Sequence, residues 1–315
     1  MSKEIRIISA SDLLSQNIAE LKYNIQHLVV PGLTLVAAAP KVGKSYLMSY
    51  LGYCMATGQK VFTKLNTRKS KVLFLALEDN DRRLQARLTE IANASLLGTV
   101  NIPENLHLVT SLGENEDSIN AIKKLINKRG YGVIIIDILQ RVAKPEDTGS
   151  YKKEYTLIKR LKELADSTKT SIIAVHHTNK KSSKAALDAI SGTRGLVGAC
   201  DNVIVLSRIS EESTASRRGT LKMSIQGRDL DSNCFYLKYG TDGGFYTLSE
   251  EEPIRETYQE KIDKAWELSE QGFKQREIAR LMGDITQGYV SKLLKEKKDQ
   301  LNKKNGQNGA GNDEN

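Results

Sequence analysis

Residues 32–47 read Gly32-Leu33-Thr34-Leu35-Val36-Ala37-Ala38-Ala39-Pro40-Lys41-Val42-Gly43-Lys44-Ser45-Tyr46-Leu47. The apolar run 33–38 predicts a buried strand. Residues 40–45 predict a tight loop, and the pattern from Tyr46 to Leu51 predicts a helix. Strand, small-residue loop with Gly-Lys-Ser, then helix is the context of a phosphate-binding P-loop. Backbone N–H groups of the loop and helix start converge there, with the positive helix end behind them. Lys44 supplies a mobile charge for β- and γ-phosphates, and Ser45 a hydroxyl for Mg²⁺. Expected nucleotide contacts are Ala39, Pro40, Lys41, Val42, Gly43, Lys44, Ser45 and Tyr46. Ala38 departs from the usual pattern, which has Gly there. Alanine fits that position only if its φ stays negative.

The chain has 315 residues, 39% hydrophobic and 27% charged. That is enough for a substantial core plus a small appendage. No segment has the apolar length of a membrane helix and the N-terminus lacks a signal-peptide pattern, so a cytoplasmic protein with no membrane partner is expected. A net charge of +9 favours a polyanionic partner, nucleic acid first, although a basic soluble enzyme would look the same. Cys54, Cys200 and Cys234 have no zinc or CxxC spacing and read as reduced thiols.

Aliphatic runs recur beyond the P-loop. Strands are expected at 60–63, 72–77, 106–109, 133–137, 171–175 and 202–206, with helices at 81–94, 117–129 and 151–168. Ahead of them, Ser11-Asp12-Leu13-Leu14 is expected to cap a short helix. Residues 178–198 read as a mobile Lys-, Ser- and Gly-rich loop. From 220 to 248 the pattern alternates, with turns at 231–233 and 242–244. The fold class expected is α/β, a mainly parallel sheet with helices on both faces and antiparallel strands at one edge. The domain boundaries expected are 1–250 for this unit, 255–300 for a helical module and 301–315 for a disordered tail.

Several strands end in chemistry-bearing residues. Strands of an open parallel sheet emerge on one edge, so Asp137 can reach the P-loop and share in a Mg²⁺ shell. Glu78 can reach the same edge and take a proton from an attacking water. Asp79 competes for that role, and both fit equally well as caps of the helix near Asp81. Alternation along a strand lets only one of His176 and His177 face a nucleotide. A third metal ligand at suitable spacing is missing.

The ordered set Pro40-Lys41-Val42-Gly43-Lys44-Ser45, Leu75-Ala76-Leu77-Glu78-Asp79, Ile135-Ile136-Asp137-Ile138-Leu139-Gln140-Arg141-Val142, Val175-His176-His177-Thr178-Asn179-Lys180, and Ile190-Ser191-Gly192-Thr193-Arg194-Gly195 followed by residues 201–208 resembles the RepA-like ATPases. These are RecA-fold proteins related to a plasmid replicative hexameric helicase. The resemblance spans roughly residues 20–250. It implies Mg-ATP as substrate, with Lys44 and Ser45 on phosphate and Mg²⁺. Glu78 is implied as catalytic base, Asp137 as metal carboxylate, His177 as γ-phosphate sensor, and Arg208 as an arginine finger entering the neighbouring subunit's site. It further implies a homo-oligomeric, hexameric ring around single-stranded DNA, contacted by Lys180, Lys181, Lys184 and Arg194.

Residues 275–283 and 286–295 read as a helix-turn-helix, a module the family pattern lacks. Ala279 is small where the helices cross. Ile278, Leu281, Val290 and Leu294 would form its core with Trp266 and Leu268. Gln287, Ser291, Lys292 and Lys295 would face duplex DNA. A generic three-helix interaction bundle is the competing reading. At the level of function, a replicative helicase and an ATP-switched DNA-binding regulator or loader remain open.

Overall fold

The computed structural model describes residues 7–18, 20–94, 103–113, 117–142, 151–177, 194–209, 220–239, 246–249, 258–282 and 285–308. Nine strands form one sheet, ordered β3-β2-β4-β5-β1-β6-β7-β8-β9. They are β1 Gly32–Ala38, β2 Val72–Ala76, β3 Leu106–Val109, β4 Val133–Asp137, β5 Ser171–His177, β6 Asn202–Arg208, β7 Thr220–Gly227, β8 Asn233–Tyr239 and β9 Tyr246–Ser249. Strands β1 to β6 pair in parallel. Strands β7 to β9 add antiparallel at the far edge. The expected α/β class and its antiparallel edge are therefore what the chain adopts.

The aliphatic runs form central strands because both faces are covered. On β4, Val133 and Ile135 enter one core with helices α2 (Lys44–Thr57) and α3 (Asp81–Asn93). Ile134 and Ile136 enter the other, with α4 (Ser118–Arg129) and α6 (Tyr151–Thr168). Helix α2 is buried all round from Tyr46 to Ala56, as expected of a helix apolar on every face. It can approach β4 closely because residue 52 is glycine; a Cβ there would stand 3.1 Å from Ile135 Cδ1. Caps fix the helix starts. Asn80 accepts from the Arg83 N–H ahead of α3, and Asp117 accepts from Ile119 N–H ahead of α4.

Four local expectations need correction. Residues 60–63 form no strand. Val61 bridges only Leu65, and Phe62 and Thr63 take φ of 53° and 62°, which makes the segment a turn. The caps ahead of α3 exclude Glu78 and Asp79 from that role, since Asn80 fills it. The short N-terminal helix, α1 (Ala10–Ser15), is capped by Ser9 rather than at Ser11 and Asp12. The loop expected over 178–198 gives way at its end to helix α7 (Arg194–Ala199), which seats Leu196 in the core; residues 178–193 of that loop lie outside the described residues. Between β4 and α6 lies one further turn, α5 (Leu139–Val142).

The C-terminal helices are α8 (Tyr258–Glu270), α9 (Gln275–Leu281) and α10 (Gln287–Asn308). Their core is Ile262, Ala265, Ile278, Ala279, Val290, Leu293 and Leu294, with Trp266 and Leu268 packed against it. Leu281, expected inside, is 54% exposed. Helix α9 buries Ile278 and Ala279, with Met282 just past its end packed against them, which leaves Leu281 on its flank. Leu293 takes the core position instead. Helix α10 runs to Asn308, past the boundary expected at residue 300. Among the described residues no helix is long and apolar enough to cross a membrane.

Candidate active site

The sheet order brings the candidate residues together. Reading along its carboxyl edge, β2 leads to Glu78, β4 ends at Asp137, β5 ends at His177, β1 leads into the P-loop, and β6 ends at Arg208. These five strands are consecutive neighbours in the sheet. Register aligns Ala76 with Asp137 and Ala38 with His177.

The loop after β1 turns through Lys41 at φ 66° and Gly43 at φ 106°. Gly43 directly precedes α2 in a left-handed conformation that a side chain would strain. Ala38 is not among the positive-φ residues, so the condition for alanine there is met. Lys44 is buried, and its Nζ donates to the carbonyls of Ala38 (3.1 Å) and Ala39 (2.7 Å). Burial pushes its ammonium down to about 8, against the attraction of Asp137 and Glu78.

Asp137 is 2% exposed. Burial raises its carboxyl above the usual range, a hydrogen bond from Ser45 opposes that, and the charges of Glu78 and Asp79 add to it. Its Oδ1 is buried and finds no hydrogen-bond partner among the described residues. A buried carboxylate oxygen left over beside a serine hydroxyl suits a divalent cation, whose charge would offset the burial. Ser45 and Asp137 therefore fit Mg²⁺. No group of three or more His, Cys, Asp or Glu side chains suited to a metal occurs among the described residues.

Glu78 and Asp79, equivalent on spacing, are distinct in space. Asp79 meets Arg83 Nε at 3.0 Å and Arg87 Nη1 at 2.7 Å. Glu78 projects the other way, its Oε2 3.7 Å from His177 Nε2. The two histidines diverge as strand alternation requires. His176 is buried on the opposite side, 3.7 Å from Glu154 of α6. Burial lowers its pKa, with Glu154 opposing. Arg208 Nη2 donates to the Lys41 carbonyl of its own P-loop at 3.3 Å. Lys180, Lys181 and Lys184 lie outside the described residues, and only the backbone of Arg194 is described, at the start of α7. In the C-terminal unit Gln287, Ser291, Lys292 and Lys295 are all exposed on one helix, α10.

Sequence reasoning missed Arg87. Its Nη1 bonds Asp79, the Ser49 hydroxyl (3.2 Å) and the Ser45 carbonyl (3.5 Å). It therefore ties the first turn of α2 to the end of β2. The signal was an arginine between Leu84, Leu88 and Ile91 on the apolar face of α3, where a charge needs a buried partner. Arg87→Ala is expected to cost about 1–3 kcal/mol of stability, because Asp79 is left half-paired. If the site is catalytic, turnover should also fall about ten- to a hundredfold through misplacement of the Ser45 and Glu78 backbones. Denaturant titration and phosphate release measure the two; a silent substitution on both would remove Arg87 from the site.

Comparison with known proteins gives the following. A family model described as "AAA domain" matches residues 2–183. The solved structure "ATPase Domain of G40P" is similar at a TM-score of 0.52 and 16% identity, covering 69% of this chain and 84% of that one. "The Structure Of A DnaB-Like Replicative Helicase And Its Interactions With Primase" is similar at 0.52 and 18%, covering 69% of this chain and 57% of that one. No curated protein sequence matches. At these identities the likeness is one of fold, and the fold is RecA-like.

Proposed function

The chain belongs to the AAA domain family, and on that premise we propose that it is a Mg-ATP-dependent, DNA-acting ring ATPase of the replicative-helicase type. The observation that carries the reading is the convergence of Lys44, Ser45, Asp137, Glu78 and His177 on one sheet edge, with a buried carboxylate oxygen left unpaired among them. The two solved structures it resembles, one titled an ATPase domain and the other a DnaB-like replicative helicase, support the same direction through their fold.

In this reading the loop N–H groups and Lys44 hold the β- and γ-phosphates, Lys44 giving up its bonds to the Ala38 and Ala39 carbonyls. Ser45 and Asp137 would hold Mg²⁺, which when bound would offset charge developing on the phosphates. Glu78 orients a water and accepts its proton. His177, within reach of Glu78, registers the γ-phosphate. Arg208 serves a neighbouring subunit's site. To do so it must leave, among its contacts, the Lys41 carbonyl, a solvent-facing hydrogen bond worth about 0.5–1.5 kcal/mol. Head-to-tail contacts of that kind close into rings, and a hexamer is the size proposed. The α9–α10 pair is proposed as a helix-turn-helix that places Gln287, Ser291, Lys292 and Lys295 on duplex DNA, while residues 180–194 meet single strands.

The test is a forked duplex incubated with ATP. Strand displacement is expected, together with duplex affinity that falls steeply with salt. The double substitution Lys292→Glu and Lys295→Glu should weaken duplex binding and leave ATP turnover intact. Hydrolysis without displacement would leave a regulator or loader in place of a helicase. Unchanged duplex affinity in the double variant would make the C-terminal unit a protein-interaction bundle.

A further inference from the structure

The amino edge of the sheet, at the opposite end of the strands from Lys44 and Asp137, gathers cations without partners. Strands β2, β4 and β5 are consecutive neighbours and start at Val72, Val133 and Ser171. Lys60, Lys64, Arg68, Lys69 and Lys71 lie between α2 and β2. Lys128 and Arg129 close α4 ahead of β4, and Lys169 precedes β5. Residues 58–72, 127–133 and 167–171 contain no Asp or Glu. All these cations are exposed except Lys71, which is half-buried with its Nζ over the Tyr131 ring. Among the described residues none of them forms an ion pair, whereas Arg87, Arg160, Lys162 and Lys297 each meet a carboxylate. Unpaired surface lysines are ordinary one at a time. A block of like charge on one edge repels itself and attracts a polyanion.

Hydrogen bonds tie the segments that carry these cations into one platform. Buried Asn24 is the hub. Its carbonyl accepts from the Arg68 N–H at 2.9 Å, its Oδ1 accepts from the Ser70 hydroxyl at 3.2 Å, and its Nδ2 donates to Ser171 Oγ. Ser171 Oγ in turn donates to the Val30 carbonyl at 2.8 Å. The turn ahead of β4 joins through Gly132, whose N–H donates to the Lys71 carbonyl at 3.0 Å. Charges fixed relative to one another need little ordering when an anion binds. Carboxylates bound the patch at its ends. Glu104 stands exposed ahead of β3. At the other end Asp201 is already engaged by the Leu33 N–H at 2.8 Å, Lys162 at 3.3 Å and Arg228 at 3.9 Å.

We propose that this amino edge binds the phosphate backbone of a nucleic-acid duplex without reading its bases, as a site separate from residues 180–194 and from α10. Strands β2, β4, β5 and β1 lie side by side, which makes the edge about 15 Å wide. That width matches roughly four phosphates along one strand of a duplex. Single-strand sites add aromatic faces on which bases stack. Here Tyr131 is 4% exposed and Tyr23 is half-buried against His27, so the surface offers charge and no stacking platform. The site extends the DNA-acting reading but does not rest on ATP turnover, and its test reads binding at equilibrium.

The experiment titrates full-length protein, without nucleotide, against a DNA duplex of arbitrary sequence over a series of salt concentrations. The triple substitution Lys64→Gln, Arg68→Gln and Lys69→Gln is expected to weaken binding about tenfold or more and to flatten the log–log salt slope by about 2–3, since each lost phosphate contact removes about 0.9. Lys123→Gln, Lys159→Gln and Lys238→Gln remove the same charge from α4, α6 and β8 and should change affinity by less than about twofold. All six side chains are exposed, so folding should survive both sets, and thermal unfolding checks that. Adding the first triple to Lys292→Glu with Lys295→Glu should remove the duplex binding that the double variant keeps. Equal losses from the two triples would reduce the effect to net charge and overturn the proposal. A double variant already without duplex affinity would overturn it too, since α10 would then be the whole site. So would a first triple that loses affinity for phosphatidylglycerol–phosphatidylcholine vesicles and none for duplex, which would make the edge a membrane-facing surface. Lys44→Ala should show the same loss when the first triple is added, so the result stands whether or not the protein hydrolyses ATP.

Discussion

Lys44→Ala is expected to abolish ATP hydrolysis, with turnover falling on the order of 100- to 1,000-fold as for loss of one preorganised charge donor. Lys44 is 4% exposed, and among the described residues its ammonium donates to the Ala38 and Ala39 carbonyls. Those carbonyls are weak substitutes for phosphate. Burial therefore pushes the group from 10.5 down to about 8, and this sets a second expectation with a definite sign. The folded pKa lies below the unfolded one, so the unfolded chain binds more protons between about pH 8 and 10.5. Stability of the nucleotide-free protein should rise with pH across that window. Lys44→Ala should remove that rise and leave thermal stability at neutral pH no lower than before. Nucleotide affinity should run the other way, weakening as pH climbs through about 8, because only the protonated amine pairs with phosphate. Phosphate release and thermal unfolding from pH 7 upward test both. Near-normal hydrolysis by the variant would remove the P-loop assignment.

The parts of the fold that sequence makes legible are those where burial leaves a one-dimensional trace. Residues 133–137 read as a strand because both faces of β4 are covered and every side chain is aliphatic up to Asp137. Alternation likewise separated His176 from His177. Sheet order leaves no such trace. That β5 lies between β4 and β1 follows from how crossovers pack, yet it is what puts His177 between the P-loop and Asp137. The turn at Phe62 and Thr63 was misread because apolar residues with positive φ carry none of the Gly or Asn marks of a turn. Phe62 is held there by packing on Tyr50 and by its N–H donating to the Tyr50 hydroxyl at 2.8 Å. Arg87 was hidden because its partners are 8, 38 and 42 residues away.

Glu78→Gln should retain nucleotide and lose turnover, by about 100- to 10,000-fold for loss of a general base. The amide keeps the size of the side chain and cannot accept a proton. With the Glu78 side chain 41% exposed, the change should leave folding untouched, so the loss reads chemistry. Asp79→Asn is the necessary comparison, and the contacts say why its effect should differ in kind. Both oxygens of Asp79 are engaged, Oδ1 by Arg83 and Oδ2 by Arg87. Arg83 also donates to the Glu78 carbonyl at 2.8 Å. Asp79 therefore fixes the backbone from which Glu78 projects, and its carboxylate is committed to two arginines. Its loss should lower stability and displace Glu78, whereas loss of the Glu78 carboxylate should stop proton transfer alone. Single-turnover hydrolysis beside nucleotide binding and thermal unfolding separates the two. If Glu78→Gln turns over normally and Asp79→Asn is inactive at full stability, the base is Asp79. The 3.7 Å approach of His177 to Glu78 would then have no part in catalysis.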